Sequence, residues 1–314
     1  MVAALNEKRK HAADLIEALL ALYEQVEPQE PEVRMGTGKA AAQPEVRMGT
    51  GSESAHWYAP GDPVQCAYEI LGANGKWRNV NMRDARKYGW LPGVSSITRI
   101  ETAPGLERFK RKQIMYAALT HPEVENIKDH NELFRVLEKD GAAQVKKAAE
   151  DGTAIHKAVE TYIQTGLVDT DHVGGLRTYM HIGAARKALA ELIGVDDRTK
   201  WTVETAAIHP YGVGGRSDCH SSEFNIVVDF KSREFAPGQK LDIYPNQGQQ
   251  LAAYREMLGL PSARAVNVYL SRNHPGECQV HEWDQDKLAK HWREFRALLQ
   301  FWQIKNNFPE LSEV

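Results

Sequence analysis

Cysteine is scarce in this chain: three in 314 residues, Cys66, Cys219 and Cys278, with no Cys-x-x-Cys pair. That excludes a disulfide framework and a four-thiolate zinc or iron–sulfur site built from one chain. No apolar run approaches the ~18 residues that a membrane span needs, and Met1 to Lys10 lacks the basic-then-apolar order of a secretion signal. A cytoplasmic location without membrane contact is the expectation. Charge of one sign is also missing. A formal net charge of -3, from 39 Lys and Arg against 42 Asp and Glu, does not suit a protein that coats nucleic acid through bulk charge. It leaves room for acidic metal ligands beside local basic patches. Arg83, Arg86 and Lys87, then Arg108, Lys110, Arg111 and Lys112, are such patches, and each also reads as a solvated helix face. A nucleotide-binding loop is absent too: Gly36-Thr37-Gly38-Lys39 follows no apolar strand and lacks the Gly-x-x-x-x-Gly-Lys-Ser/Thr spacing.

What is present divides into four stretches. Residues 1–27 read as an amphipathic helix, with Leu5, Ala12, Leu19 and Val26 in one heptad row and Leu15 and Leu22 in the next. Such a stripe docks on the rest of the chain or self-associates with a second copy. Residues 28–56 hold an internal repeat, Pro31 to Gly38 recurring as Pro44 to Gly51, and read as a disordered linker. Residues 57–150 begin with a hairpin, Ala67–Leu71 and Trp77–Met82 around Asn74-Gly75, and continue with helices near 105–119 and 131–150. Residues 151–314 carry the clearest periodicity.

There the expected order is a helix from Thr153 to Thr165 capped by Thr153, a second helix over 174–193, and three strands near 202–208, 213–220 and 225–231. A helix near 246–258, a strand at 265–270, another at 277–283 and a long helix from Gln285 to about Lys305 follow. Helix, three-strand meander, helix, strand is an α/β layer arrangement with one sheet end free for a site.

The apolar run Ile226-Val227-Val228 stops on Asp229-Phe230-Lys231, and a period of two puts Asp229 and Lys231 on one face. Charged residues at the end of a buried strand are paired or bind a metal. Upstream stand Gly152-Thr153-x-x-His156-x-x-x-Glu160 and Gly215-Arg216-Ser217-Asp218; downstream stands Gln250-Leu251-Ala252-Ala253-Tyr254. His156 and Glu160, like Gln250 and Tyr254, are four apart and share a helical face. Imidazole and carboxylates are donors for magnesium or manganese. Taken singly, His156 also reads as a packed histidine, Asp218 as a turn residue, Tyr254 as a core aromatic, and Asp229 with Lys231 as a structural ion pair. Glu204, on the first strand, faces either the site or solvent.

Taken together and in this order, the four motifs resemble the PD-(D/E)XK nuclease superfamily, and within it the RecB-like branch of phage exonucleases and the mitochondrial genome maintenance exonuclease. The resemblance covers residues 150–285 best. Leu91-Pro92-Gly93-Val94-Ser95-Ser96-Ile97 is similar, more distantly, to the helical N-terminal part of the latter group. It implies a restriction-endonuclease-like α/β core with helical N-terminal additions, and a Mg2+- or Mn2+-dependent exonuclease acting on DNA with a free end in phage recombination, repair or DNA processing. By the resemblance, His156, Asp218, Asp229 and the Phe230 carbonyl would hold the metal. Lys231 would orient water or stabilise charge on the phosphate, with Glu160, Gln250 and Tyr254 shaping the site and the last two contacting the DNA backbone. Ser217 departs from the small apolar residue commoner at its position, and the four-cysteine cluster of some relatives is missing. A structure-specific endonuclease with the same site, and a non-catalytic DNA-binding subunit, are the competing readings.

Overall fold

A computed structural model describes residues 44–47, 56–61, 64–67, 69–101, 104–122, 124–168 and 175–309. In chain order they form β1 (Val46–Arg47), β2 (Trp57–Ala59), β3 (Gln65–Ala67), β4 (Glu69–Leu71), β5 (Trp77–Asn79), α1 (Met82–Tyr88), β6 (Leu91–Pro92), α2 (Val94–Thr98), α3 (Pro104–Thr120) and α4 (His130–Thr165). Then come α5 (Leu176–Ile193), β7 (Thr202–His209), β8 (Val213–Ser221), β9 (Ile226–Arg233), α6 (Pro245–Met257), β10 (Arg264–Ser271), β11 (Cys278–Glu282) and α7 (Gln285–Lys305). The fold is α/β.

The largest sheet has the order β11-β10-β9-β8-β7. β9 and β10 are its parallel central pair, joined by the α6 crossover; the other neighbours are antiparallel. Both faces of the central pair are covered, which is why these strands are apolar at nearly every position rather than at alternate ones. On one face Val228, Phe230, Val266 and Val268 pack with Ile155 and Val159 of α4 and Ile182 and Leu189 of α5. On the other, Val227 and Ala265 pack with Leu251 of α6 and Phe295 and Leu299 of α7. Each fully buried aliphatic side chain stabilises the fold by about 1.5–3 kcal/mol, so two filled faces fix the strand register firmly.

Three expectations need correction. Residues 131–150 and 153–165 are one helix, α4, capped by Asp129, whose carboxylate accepts the Asn131 and Glu132 N–H groups at 2.7 and 2.9 Å. Thr153 caps nothing: its hydroxyl donates to the Ala149 carbonyl at 3.1 Å within the helix. A mid-helix glycine costs only about 1 kcal/mol, and Gly152 is buried, so Asp151-Gly152 does not break the helix. The linker expected over 28–56 contains structure as well. Val46–Arg47, from the second copy of the repeat, pairs antiparallel with β4, and Arg47 bonds Glu69 at 2.7 Å. The first copy of the repeat, Gly36 to Lys39 and the 1–27 helix lie outside the described residues. Finally, the second hairpin strand ends at Asn79 and gives way to α1. Asn81 and Asp84 form a capping box there, and Arg78 grips Asp84 with both guanidinium nitrogens at 2.6 and 2.8 Å.

No helix among the described residues is long and apolar enough to cross a membrane.

Candidate active site

The ladder between β8 and β9 is short. Only Cys219, His220 and Ser221 pair with Val228, Val227 and Ile226. Beyond them the ladder stops and leaves a gap in the pairing. Asp218 lies at its mouth, where Oδ2 accepts the Phe230 N–H at 2.9 Å, so a side chain replaces the missing strand partner. In an extended strand a residue's C=O leaves on the same edge as its N–H. The Phe230 carbonyl therefore faces this opening too.

The elements around the gap each deliver a group. α4 crosses the end of β9 so closely that a Cβ on Gly152 would stand 2.6 Å from Ser232 Oγ. That approach carries His156, one turn on, to an Nδ1–Oδ2 distance of 3.7 Å from Asp218. From the other face, α6 brings Tyr254 against β8 where Gly215 leaves room: a Cβ there would meet the Tyr254 ring at 2.8 Å. β9 supplies Asp229, 1% exposed, and Lys231, whose ammonium straddles the Asp229 carboxylate at 2.7 Å from each oxygen.

A directional chain of hydrogen bonds ties these groups together. Lys231 Nζ also donates to Gln250 Oε1 at 3.0 Å, and Gln250 Nε2 donates to the Tyr254 hydroxyl at 2.9 Å. On the far side, Asn267 Nδ2 donates to Asp229 Oδ2 at 2.7 Å, and Asn267 Oδ1 accepts the Trp283 indole N–H at 2.8 Å. Sequence reasoning missed Asn267 and Trp283. The available signal was one amide inside the apolar run Ala265 to Leu270, since a buried polar side chain needs partners.

Electrostatics follow from burial. Desolvation lowers the His156 pKa, and Lys231 adds to the lowering while Asp218 opposes it, so the imidazole is neutral near pH 7 with a lone pair to offer. Burial raises the Asp229 pKa, and the bonds from Lys231 and Asn267 oppose the rise. Burial also raises the Tyr254 hydroxyl, with Asp218 and Asp229 adding to it, and keeps it protonated.

Glu204 faces the site. Its Oε2 is 2.6 Å from Arg216 Nε, and burial pushes its pKa up to about 7, with Arg216 pulling it down and Asp218 and Glu160 adding to the rise. Its φ of 54° is left-handed in mid-strand, and the β7–β8 ladder skips the Glu204–Asp218 pair while keeping register on both sides. For a non-glycine residue this conformation costs on the order of 1–3 kcal/mol, and such strain gathers at functional sites. Glu160 stands at the rim, bonded to Lys157 at 2.8 Å.

Two carboxylates, a backbone carbonyl and a neutral imidazole are donors that suit Mg2+ or Mn2+. The 3.7 Å between His156 Nδ1 and Asp218 Oδ2 is too long for a hydrogen bond and leaves the two donors side by side. Asp229 is turned toward Lys231 and Asn267, and among the described residues no three His, Cys, Asp or Glu side chains meet at one point.

No protein-family model matches the chain, and no curated protein matches it. Among solved structures it is similar to the crystal structure of SSO0001, at 14% identity and a TM-score of 0.25, over 59% of this chain and 70% of that one. That likeness is too slight to argue from.

Proposed function

We propose that this chain is a Mg2+- or Mn2+-dependent deoxyribonuclease of the PD-(D/E)XK superfamily, an exonuclease of its RecB-like branch with a restriction-endonuclease-like core. One observation carries the reading: His156, Asp218, Asp229, Lys231, Gln250 and Tyr254, drawn from four separate motifs on strands and helices, surround the opening between β8 and β9. A structural ion pair accounts for Asp229 and Lys231 alone. It does not account for a neutral imidazole beside Asp218, or for a lysine shared between a carboxylate and an amide.

Each group has a task. Asp218, Asp229, His156 and the Phe230 carbonyl hold the cation, which supplies Lewis-acid stabilisation at a phosphoryl oxygen. Lys231 places a positive charge beside the carboxylates, where negative charge builds on the phosphate as the bond breaks. Gln250 receives from Lys231 and donates to Tyr254, so the Tyr254 hydroxyl proton is left for a phosphate oxygen of the strand. Arg216, held by Glu204, adds positive charge two residues from Asp218.

The test uses end-labelled linear DNA and a covalently closed single-stranded circle with Mg2+. Degradation of the linear strand with the circle intact is expected, lost on adding EDTA and abolished in Asp229→Asn and Lys231→Ala with the circular dichroism spectrum unchanged. A cut circle assigns a structure-specific endonuclease instead. No degradation of any DNA, or full activity in either variant, removes the proposal.

A further inference from the structure

We infer that Asn267 is a positioning residue of this site: anchored by Trp283, it commits Asp229 Oδ2 to the protein and leaves Oδ1 as the oxygen that meets a cation. The inference rests on the metal-dependent reading and extends it to residues outside the four motifs.

Asn267 is wholly buried in the middle of β10, among Val266, Val268 and Leu270. An amide there is costly unless its polar atoms are paired. The parallel register places Asn267 directly beside Asp229 on one face of the sheet, and the two side chains bond at 2.7 Å. Trp283 fixes the orientation. An indole N–H only donates, so the atom it meets at 2.8 Å is the Asn267 oxygen, and the amide NH2 is forced toward Asp229. Trp283 cannot turn freely. It is buried, its ring stands edge-on to His281 and His291 at 4.8 and 5.1 Å, and its backbone N–H bonds the Ala265 carbonyl at 2.9 Å.

The consequence lies in the lone pairs of Asp229. Oδ2 accepts from Asn267 and lies 2.7 Å from the Lys231 ammonium as well, whereas Oδ1 accepts from Lys231 alone and keeps one lone pair. Lys231 is a long, partly exposed side chain, and when its ammonium turns to a phosphate, Asn267 alone keeps the carboxylate from rotating. Partners of metal ligands act in this way, and their loss typically lowers metal affinity by about 10–100-fold.

The experiment titrates Mn2+ into the purified full chain by calorimetry without DNA, for wild type, Asn267→Leu and Trp283→Phe, and then measures kcat and KM on end-labelled DNA. Asn267→Leu is expected to weaken Mn2+ binding by about 10–100-fold and to lower kcat with KM for DNA unchanged. Trp283→Phe keeps the ring, loses the donor, and shifts both in the same direction by less; it also serves if the leucine variant does not fold. A purely structural role lowers the melting temperature and leaves the Mn2+ affinity of the folded protein alone. Wild-type Mn2+ affinity in a folded variant overturns the inference. A wild type that binds Mn2+ yet leaves all DNA intact removes the nuclease reading while the same comparison still decides Asn267; a wild type that takes up no Mn2+ overturns both.

Discussion

Tyr254 is buried against β8 with a hydroxyl that Gln250 uses only as an acceptor. The direction is not arbitrary: Lys231 can only donate, so Gln250 must present its oxygen to the lysine and its NH2 to the tyrosine. Tyr254→Phe therefore removes an acceptor from Gln250 and a donor from the site in one step. Its expected cost is about 1 kcal/mol in urea unfolding and a roughly tenfold slower hydrolysis. An unchanged rate beside the lost stability would show that the hydroxyl serves only Gln250. His156, Asp218, Asp229, Lys231, Gln250 and Tyr254 were legible because each sits in a short motif whose helical or strand spacing already sets its direction. Asn267 and Trp283 were not, because their partnership with Asp229 exists only once β10 lies parallel beside β9. Glu204 stayed ambiguous for another reason. Alternation along a strand says nothing about a residue at φ 54°, whose side chain leaves the regular pleat.

Among the elements, β8 and α6 meet without a side chain between them at Gly215. A Cβ there would stand 2.6 Å from the Met257 methyl, 2.8 Å from the Tyr254 ring and 3.1 Å from Val94. Met257 can give way and a packed ring cannot, so Gly215→Ala is expected to destabilise the fold by about 1–3 kcal/mol. It should also slow hydrolysis by displacing the Tyr254–Gln250 pair. Melting curves with parallel rate measurements check this, and full activity at an unchanged melting temperature contradicts the close packing. The long elements could be read from sequence because their pattern repeats over several turns or pleats: α5, α7, β9 and β10 lie within two residues of expectation at either end. Several of the shortest elements escaped, although the hairpin strands β4 and β5 and the strand β11 did not. β1, β2, β6, α1 and α2 are too short for any period to show and take their conformation from the neighbours they pair with or cap against.

At the scale of the whole molecule, burial sets the response to acid. It holds six described histidines below their ordinary range: His56, down to about 4, with His156, His181, His209, His220 and His281. In the unfolded chain each takes up a proton near pH ~6.5; in the folded protein it does so only at lower pH. Between those points the unfolded chain binds more protons, so the histidine contribution is complete above pH ~6.5 and lost as pH falls through the folded values. Asp84 and Glu282, held low by the guanidinium groups of Arg78 and Arg264, extend the loss to more acid pH. Three carboxylates oppose it. Glu204, raised by burial to about 7, with Asp229 and Glu256, also raised by burial, binds protons in the folded state before the unfolded one, and so gains stability on acidification toward pH ~4.5. With six depressed imidazoles against three raised carboxyls, net proton uptake on unfolding is the expected sign between about pH 5 and 6.5. The melting temperature is therefore expected to fall as pH is lowered across that window, with an unfolding enthalpy that varies with the ionisation enthalpy of the buffer. Scanning calorimetry in acetate, MES and phosphate measures both. A melting temperature that is flat or rises toward pH 5 means that the three raised carboxyls outweigh the buried histidines.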